Sequence, residues 1–166
     1  MTDSMIGLIG VLVGASITWW MTSQFEKRRN AVTLYAEFST PDMEACRDEA
    51  LRTLRNNYQS PNPLSFQDMF EQQVNPKDLV AVSRIVHFWE KTWYLSRSNY
   101  TDSRLTKEFL RHYFESHYQK YLIDFALLCD KRDDATYQRW VIAVRNLANL
   151  WGIAHISRAK KNPIQN

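Results

Sequence analysis

The chain has 166 residues, enough for one core but short for two ordinary domains. Hydrophobic residues supply 45%, charged residues 23% and aromatics 13%, which excludes a disordered, collagenous or repetitive chain; four glycines and five prolines are too few for the tight turns of an all-β sandwich. Two cysteines, Cys46 and Cys129, make no disulfide framework and point to ordinary buried thiols in a reducing compartment, and the formal charge of +3 matters less than where the charges fall.

Residues 5–21 (MIGLIGVLVGASITWWM) run seventeen positions without a charge, at the lower end of the roughly 17 to 25 that cross the hydrocarbon layer. A cleaved signal peptide fits worse, because it needs positive charge before its apolar run and a small-residue cleavage site after it. Here Asp3 precedes the run, Trp19 and Trp20 close it, and Glu26-Lys27-Arg28-Arg29 follow. The expectation is a single transmembrane helix over 5–21, with residues 1–4 as a short outer tail and everything after Thr22 in the cytoplasm, since basic flanks stay inside. In a bacterium that is a single-pass protein of the inner membrane. Trp19 and Trp20 are expected to be interfacial anchors, with rings in lipid and N–H groups near water. Gly7, Gly10 and Gly14 put three of the four glycines in this span. With Thr18 they line a face that a second helix backbone could approach, so a homo-oligomer is expected. Simple tolerance of glycine in membrane helices is the plainer alternative.

A juxtamembrane stalk over 22–38 continues the helix, with Phe25, Val32, Tyr35 and Phe38 on approximately one side. Ser39-Thr40-Pro41-Asp42 then stops and restarts the chain. Thr40 caps, Pro41 suits the first helical position, and Asp42 and Glu44 favour the positive end of the helix dipole. The spacing of Met43, Cys46, Ala50, Leu51, Leu54 and Tyr58 predicts an amphipathic helix, ended by the prolines at 61 and 63. A short helix over 66–72 precedes a second cap-then-proline signal at Asn75-Pro76. That signal launches a central helix with Leu79, Val82, Val86, Trp89 and Trp93 in one stripe. Residues 98–102 interrupt, and Thr101 or Asp102 caps a helix carrying Leu105, Phe109, Tyr113, Tyr121, Leu122, Phe125 and Leu128 as far as Cys129. After a charged turn at 131–134, Asp134 caps a last helix with Tyr137, Trp140, Val141, Val144, Leu147, Ala148 and Trp151. Gly152 falls near its end, and 159–166 form a loose basic tail. The fold class is all-α: one N-terminal transmembrane helix and an antiparallel cytosolic bundle of about four helices over 39–158.

Chemistry is sparse. Four histidines, His87, His112, His117 and His155, form no metal-ligand spacing. No glycine-rich phosphate loop or nucleophile elbow is present, so no metal or cofactor and no catalytic residue is expected. One enzyme-like pattern is Arg111-His112-Tyr113-Phe114-Glu115-Ser116-His117. It resembles the Arg, polar residue, four residues, His motif of the HEPN helical ribonucleases. That resemblance implies Arg111 and His117 from two subunits meeting at a dimer interface, to polarise a phosphate and move a proton. The competing reading is a solvated helix face, with Glu108 and Glu115 at pairing distance from Arg111.

The charge distribution says more. After Asp134 no acidic residue occurs, while Arg139, Arg145, Arg158, Lys160 and Lys161 do. Arg84, His87 and Lys91 add a stripe at i, i+3 and i+7 of the central helix. These eight form the candidate ligand-binding set, serving either attraction to anionic membrane lipid or a pocket for an anionic ligand such as a nucleotide messenger.

Leu34-Tyr35-Ala36-Glu37-Phe38, residues 43–54 and Val82-Ser83-Arg84-Ile85-Val86-His87-Phe88-Trp89-Glu90 resemble an uncharacterised family of small bacterial proteins with one N-terminal membrane helix and a helical cytosolic domain. The likeness lies in packing patterns and implies fold and topology. In plan the chain is also similar to membrane effectors of bacterial antiviral defence, including those of type III CRISPR systems gated by cyclic oligoadenylate. The expected function is a non-enzymatic, membrane-anchored effector or adaptor whose oligomeric cytosolic domain binds an anionic ligand or a protein partner and acts on the membrane. The alternatives are a membrane-tethered ribonuclease and an accessory subunit bound to a membrane protein partner in a larger complex.

Overall fold

The computed structural model describes residues 2–71, 76–119, 121–122 and 135–153, with side chains for 9–71, 76–117, 121–122, 135 and 137–153. Every regular element among them is helical. The first, α1 (Thr2–Phe38), is one uninterrupted rod of 37 residues, about 55 Å long at 1.5 Å per residue. The span and stalk read from the sequence are therefore two stretches of one helix. Among the described residues no helix is long and apolar enough to cross a membrane. The side chains of residues 5–8, with which the apolar run opens and which include Gly7, lie outside the described set.

The far end of α1 is packed. Ala31, Leu34 and Phe38 are buried, at spacings of three and four. This corrects the expected stalk stripe: Phe25 and Val32 are exposed and Tyr35 is only partly covered. A step of one residue turns a helix by 100°, so a face through 31, 34 and 38 leaves 32 outside. Phe25 lies before Lys27, whose carbonyl accepts from Asp102 N–H of the bundle. One face of residues 31–38 is thus core.

The restart at 39–42 forms as its residues dictate. Ser39 N–H donates to the Tyr35 carbonyl at 3.0 Å, and Thr40 Oγ1 accepts from Met43 N–H at 3.3 Å to open α2 (Pro41–Gln59). The loop after α2 is clamped by Asn57, whose amide donates to the Leu64 carbonyl and accepts its N–H, both at 2.9 Å. Ser65 then caps α3 (Phe66–Glu71), accepting from Asp68 N–H at 3.0 Å.

The central element is α4 (Pro76–Arg97), which runs antiparallel first to α2 and then to α1. Cys46 Sγ lies 3.5 Å from the Ala81 carbonyl oxygen, Phe38 stacks on Phe88 with centroids 4.9 Å apart, and Asn30 reaches Tyr100 just past the end of α4. All five residues of its expected stripe are buried, and Ala81, Ile85 and Phe88 are buried beside them. A helix packed by neighbours on several sides needs this wider apolar coat.

Asp102 caps α5 (Ser103–Tyr113), accepting from Arg104 and Leu105 N–H at 3.1 Å. This helix runs beside α1 in the same direction, with Tyr35 against Phe109 at 5.0 Å and Phe38 against Tyr113 at 5.2 Å. The expected bundle over 39–158 does not include α1, whose end packs here as a further helix parallel to α5. One departure is local: the expected continuous α-helix gives way to a π-helical segment, Phe114–Gln119. The wider turn carries Phe114 fully into the core, 5.0 Å from Trp89 and 5.5 Å from Trp151. Tyr121 and Leu122 are described, but Phe125, Leu128, Cys129 and the turn at 131–134 lie outside the described residues.

The last helix, α6 (Ala135–Leu150), buries Trp140, Val141, Val144, Leu147 and Ala148 as its spacing predicts. Gly152 ends it in the left-handed region at φ 65°, which lets Ile153 N–H reach back to the Ala148 carbonyl at 2.9 Å. Trp89, fully buried, joins the layers: its ring meets Phe38 of α1, Phe88 of α4 and Trp151 beyond α6.

Candidate functional site: a charged cleft at the bend between α1 and α2

Where α1 ends and α2 begins, the chain turns across the middle of α4 and leaves a cleft of about 210 Å³. Glu37, Thr40, Met43, Arg84, His87, Phe88 and Lys91 line it. The predicted basic stripe Arg84, His87 and Lys91 therefore does face one space. Two of its members are already engaged. Lys91 Nζ lies 2.6 Å from Glu37 Oε2, and His87 Nδ1 lies 3.2 Å from Glu90 Oε2. Arg84 has no acidic partner among the described residues and is exposed. It acts on Cys46, whose thiol burial pushes up while Arg84 pulls it down by less. Cys46 is half-buried rather than fully buried, and its raised pKa keeps the thiol protonated at neutral pH.

Arg139 is not part of the cleft. Its Nε meets Glu90 Oε1 at 2.6 Å, an ion pair rather than a well-directed hydrogen bond. Glu90 is only 8% exposed, while Arg139 and His87 are each about half exposed. The result is a buried carboxylate on α4 held by the His87 ring from its own helix turn and the Arg139 guanidinium from α6. Its first role is to join α6 to α4, so Arg139 and His87 are less available to a ligand than the sequence implied. Arg145 is half-buried and has a partner within the structure. Arg158, Lys160 and Lys161, with His155, lie outside the described residues.

Arg111 and His117 point to different surroundings. Arg111 Nε pairs with Glu115 Oε2 at 3.3 Å, one turn on, and lines an open groove of about 500 Å³ with Arg104, Lys107, Glu108 and His112. His117 is partly buried, and burial chiefly lowers its pKa, helped by His112, Arg47 and Arg55. Arg111 is not among the charges acting on it. Within one chain the two residues of the ribonuclease-like pattern therefore belong to separate environments. Among the described residues no cluster of three or more His, Cys, Asp or Glu could hold a metal ion.

On α1, Gly10 and Gly14 have open space where a Cβ would stand, and Thr18 Oγ1 donates back to the Gly14 carbonyl at 2.9 Å. Trp19 and Trp20 are 75% and 60% exposed. The residues missed from the sequence are the acids, Glu37 and Glu90. A signal was present for Glu90, which stands at i+3 from His87 and next to Trp89 on the buried side of an apolar helix. Glu37 had none, because its partner Lys91 is 54 residues away.

Comparison of the chain with protein-family models, with curated proteins and with solved structures finds no match.

Proposed function

We propose that this protein is a non-enzymatic, single-pass membrane adaptor whose cytosolic helical domain senses an anionic group and transmits to the bilayer through α1. One observation carries the reading: α1 is a single rod whose first part bares its apolar side chains and whose last part is core. Ile9, Val11, Leu12, Val13 and Ile17 are each more than half exposed. Leaving such side chains in water forgoes roughly 1.5–3 kcal/mol apiece, a penalty that lipid removes. The exposed Trp19 and Trp20, with Lys27, Arg28 and Arg29 after them, support an inner-membrane placement with the bundle in the cytoplasm. The bare Gly10, Gly14 and Thr18 face supports self-association there.

The cleft supports the ligand half of the reading, and its size limits it. About 210 Å³ is below the roughly 300–1,000 Å³ of sites that enclose a drug-sized molecule. It suits a phosphate or ribose phosphate inserted beside Arg84, with the rest of a nucleotide outside the cleft.

Membrane fractionation of the full chain tests the reading. The protein should stay in the pellet after alkaline carbonate washing, and Leu12→Arg with Ile17→Arg should release it, since a central arginine costs about 2.5–3.5 kcal/mol on insertion scales. Recovery of the unaltered chain in the aqueous fraction would overturn it.

A further inference from the structure

We propose that the loop between α4 and α5, residues 98–102, is a second membrane-contacting element that seats the bundle on anionic phospholipid headgroups beside the exit of α1. The inference rests on the membrane reading above. It starts from how the loop is fastened. Asp102 N–H donates to the Lys27 carbonyl at 3.1 Å, Asn30 Nδ2 donates to the Tyr100 carbonyl at 2.8 Å, and Arg28 Nε stands 3.8 Å from Asp102 Oδ2. These contacts hold the loop level with residues 27–30 of α1. Lys27 is six positions past Met21, the last residue of the apolar run, which is about 9 Å along a helix axis. The polar layer of a bilayer is about 5–7 Å thick on each side. The loop therefore lies just under the headgroups, within a Debye length of about 8–10 Å of their charge.

The side chains at this end of the bundle suit such a surface. Lys27, Arg28 and Arg29 come from α1, Arg97 from the last turn of α4 and Arg104 from the first turn of α5, while in the same described stretches, 26–29 and 97–104, the acids are Glu26 and Asp102. Asp102 is occupied as the α5 cap. Arg97 and Arg104 are exposed, and the Arg97 guanidinium sits over the Trp93 ring at 5.4 Å. A cation in the first turn of a helix opposes the helix dipole, so Arg104 is not placed there for the stability of α5. Tyr100 is 65% exposed at the tip, an amphipathic ring of the kind that favours a membrane interface. The loop is also preformed. Asn99 takes φ 61°, and the N–H groups of Tyr100 and Thr101 both reach back to the Leu95 carbonyl, so docking needs little further ordering.

The test uses the full chain in vesicles of phosphatidylcholine, with or without phosphatidylglycerol. A fluorophore is attached through Ser98→Cys or, separately, Ile17→Cys, with Cys46 and Cys129 changed to alanine. The Ile17 probe should be quenched by acyl-chain nitroxides in both vesicles. The Ser98 probe should be quenched by headgroup nitroxides several-fold more when phosphatidylglycerol is present. Arg97→Gln with Arg104→Gln should reduce the docked population about fivefold per charge, and molar salt should do the same to the unaltered chain without any substitution. Ser98 quenching that ignores both phosphatidylglycerol and the double substitution, with Ile17 still quenched, would overturn the docking and leave the anchor standing. Loss of quenching at Ile17 would overturn the anchor reading and this inference together.

Discussion

Residues 9–21 and residues 31–38 share one backbone, yet the first stretch bares its apolar side chains around the helix while the second hides three of them on one face. The first reads as apolar by composition alone, with no stripe to orient it. The second alternates buried Ala31, Leu34 and Phe38 with exposed Val32 and Thr33. A helix surrounded by one solvent has no reason to be amphipathic, whereas a helix wedged between a bundle and water must be. No break separates the two stretches, so displacement at the Phe38 end and displacement at the apolar end are one motion.

That comparison can be broken at several strengths. The largest effect should come from Trp89→Ala, which empties the aromatic centre where Phe38, Phe88, Phe114 and Trp151 meet. We expect a loss of about 3–5 kcal/mol in urea unfolding of the detergent-solubilised chain, with residues 9–21 still helical and membrane-bound. Loss of membrane binding as well would show that the two stretches are not separable.

Next comes the ion pair that ties α6 to the bundle. Among the described residues Arg139→Leu leaves a carboxylate that is 8% exposed with His87 alone beside it, whereas Glu90→Leu leaves a guanidinium and an imidazole that water already reaches. The first should cost about 2 kcal/mol and the second under about 1 kcal/mol by the same measurement. Equal losses would mean that the pair contributes through packing rather than charge.

Asp102→Ala removes the α5 cap and the partner of Arg28 together. A cost of about 1 kcal/mol is expected, along with faster amide exchange at 100–106 and not at 31–38. Uniform exchange across both would show that the clasp holds the whole packed end of α1.

The smallest effect is a pH slope. Burial, then His112, Arg47 and Arg55, hold the His117 pKa below its ordinary 6.5. The folded state then binds protons less readily than the unfolded state. The stability contribution is complete above 6.5 and is lost as pH falls from there toward the lower folded value. His117→Gln should flatten that part of the melting-temperature profile between pH 7 and pH 5 without altering the stretch at 9–21. An unchanged slope would assign it to another group.

Much of the helical order was legible in the residues. Thr40-Pro41, Asp102 and Gly152 each act through neighbours within five positions, so their caps and stops follow from local chemistry. The stripes of α4 and α6 were equally readable, because a buried face repeats at helical spacing. Reading the end of α1 failed at Phe25 and Val32, where two faces each carried enough apolar residues to qualify. The π-helical turn failed for a related reason: the residues at 114–119 are compatible with an α-helix, and the fit of Phe114 between Trp89 and Trp151 selects the wider turn. At the candidate site the basic stripe was legible, and so was the i+3 place of Glu90, but not Glu37, which answers Lys91 from 54 residues away.

The amino-acid order alone determined that the described part of this chain is helical, where the capped helices at 41, 103 and 152 start or stop, and that its first helix opens with an apolar, uncharged run, because each of those depends on interactions reaching only a few residues. Tertiary structure decided which face of α1 enters the core, that α5 lies parallel to it, and that Lys91 meets Glu37 and Arg139 meets Glu90. Those outcomes depend on groups up to tens of residues apart, and on a competition between burial and ion pairing that only the assembled core resolves.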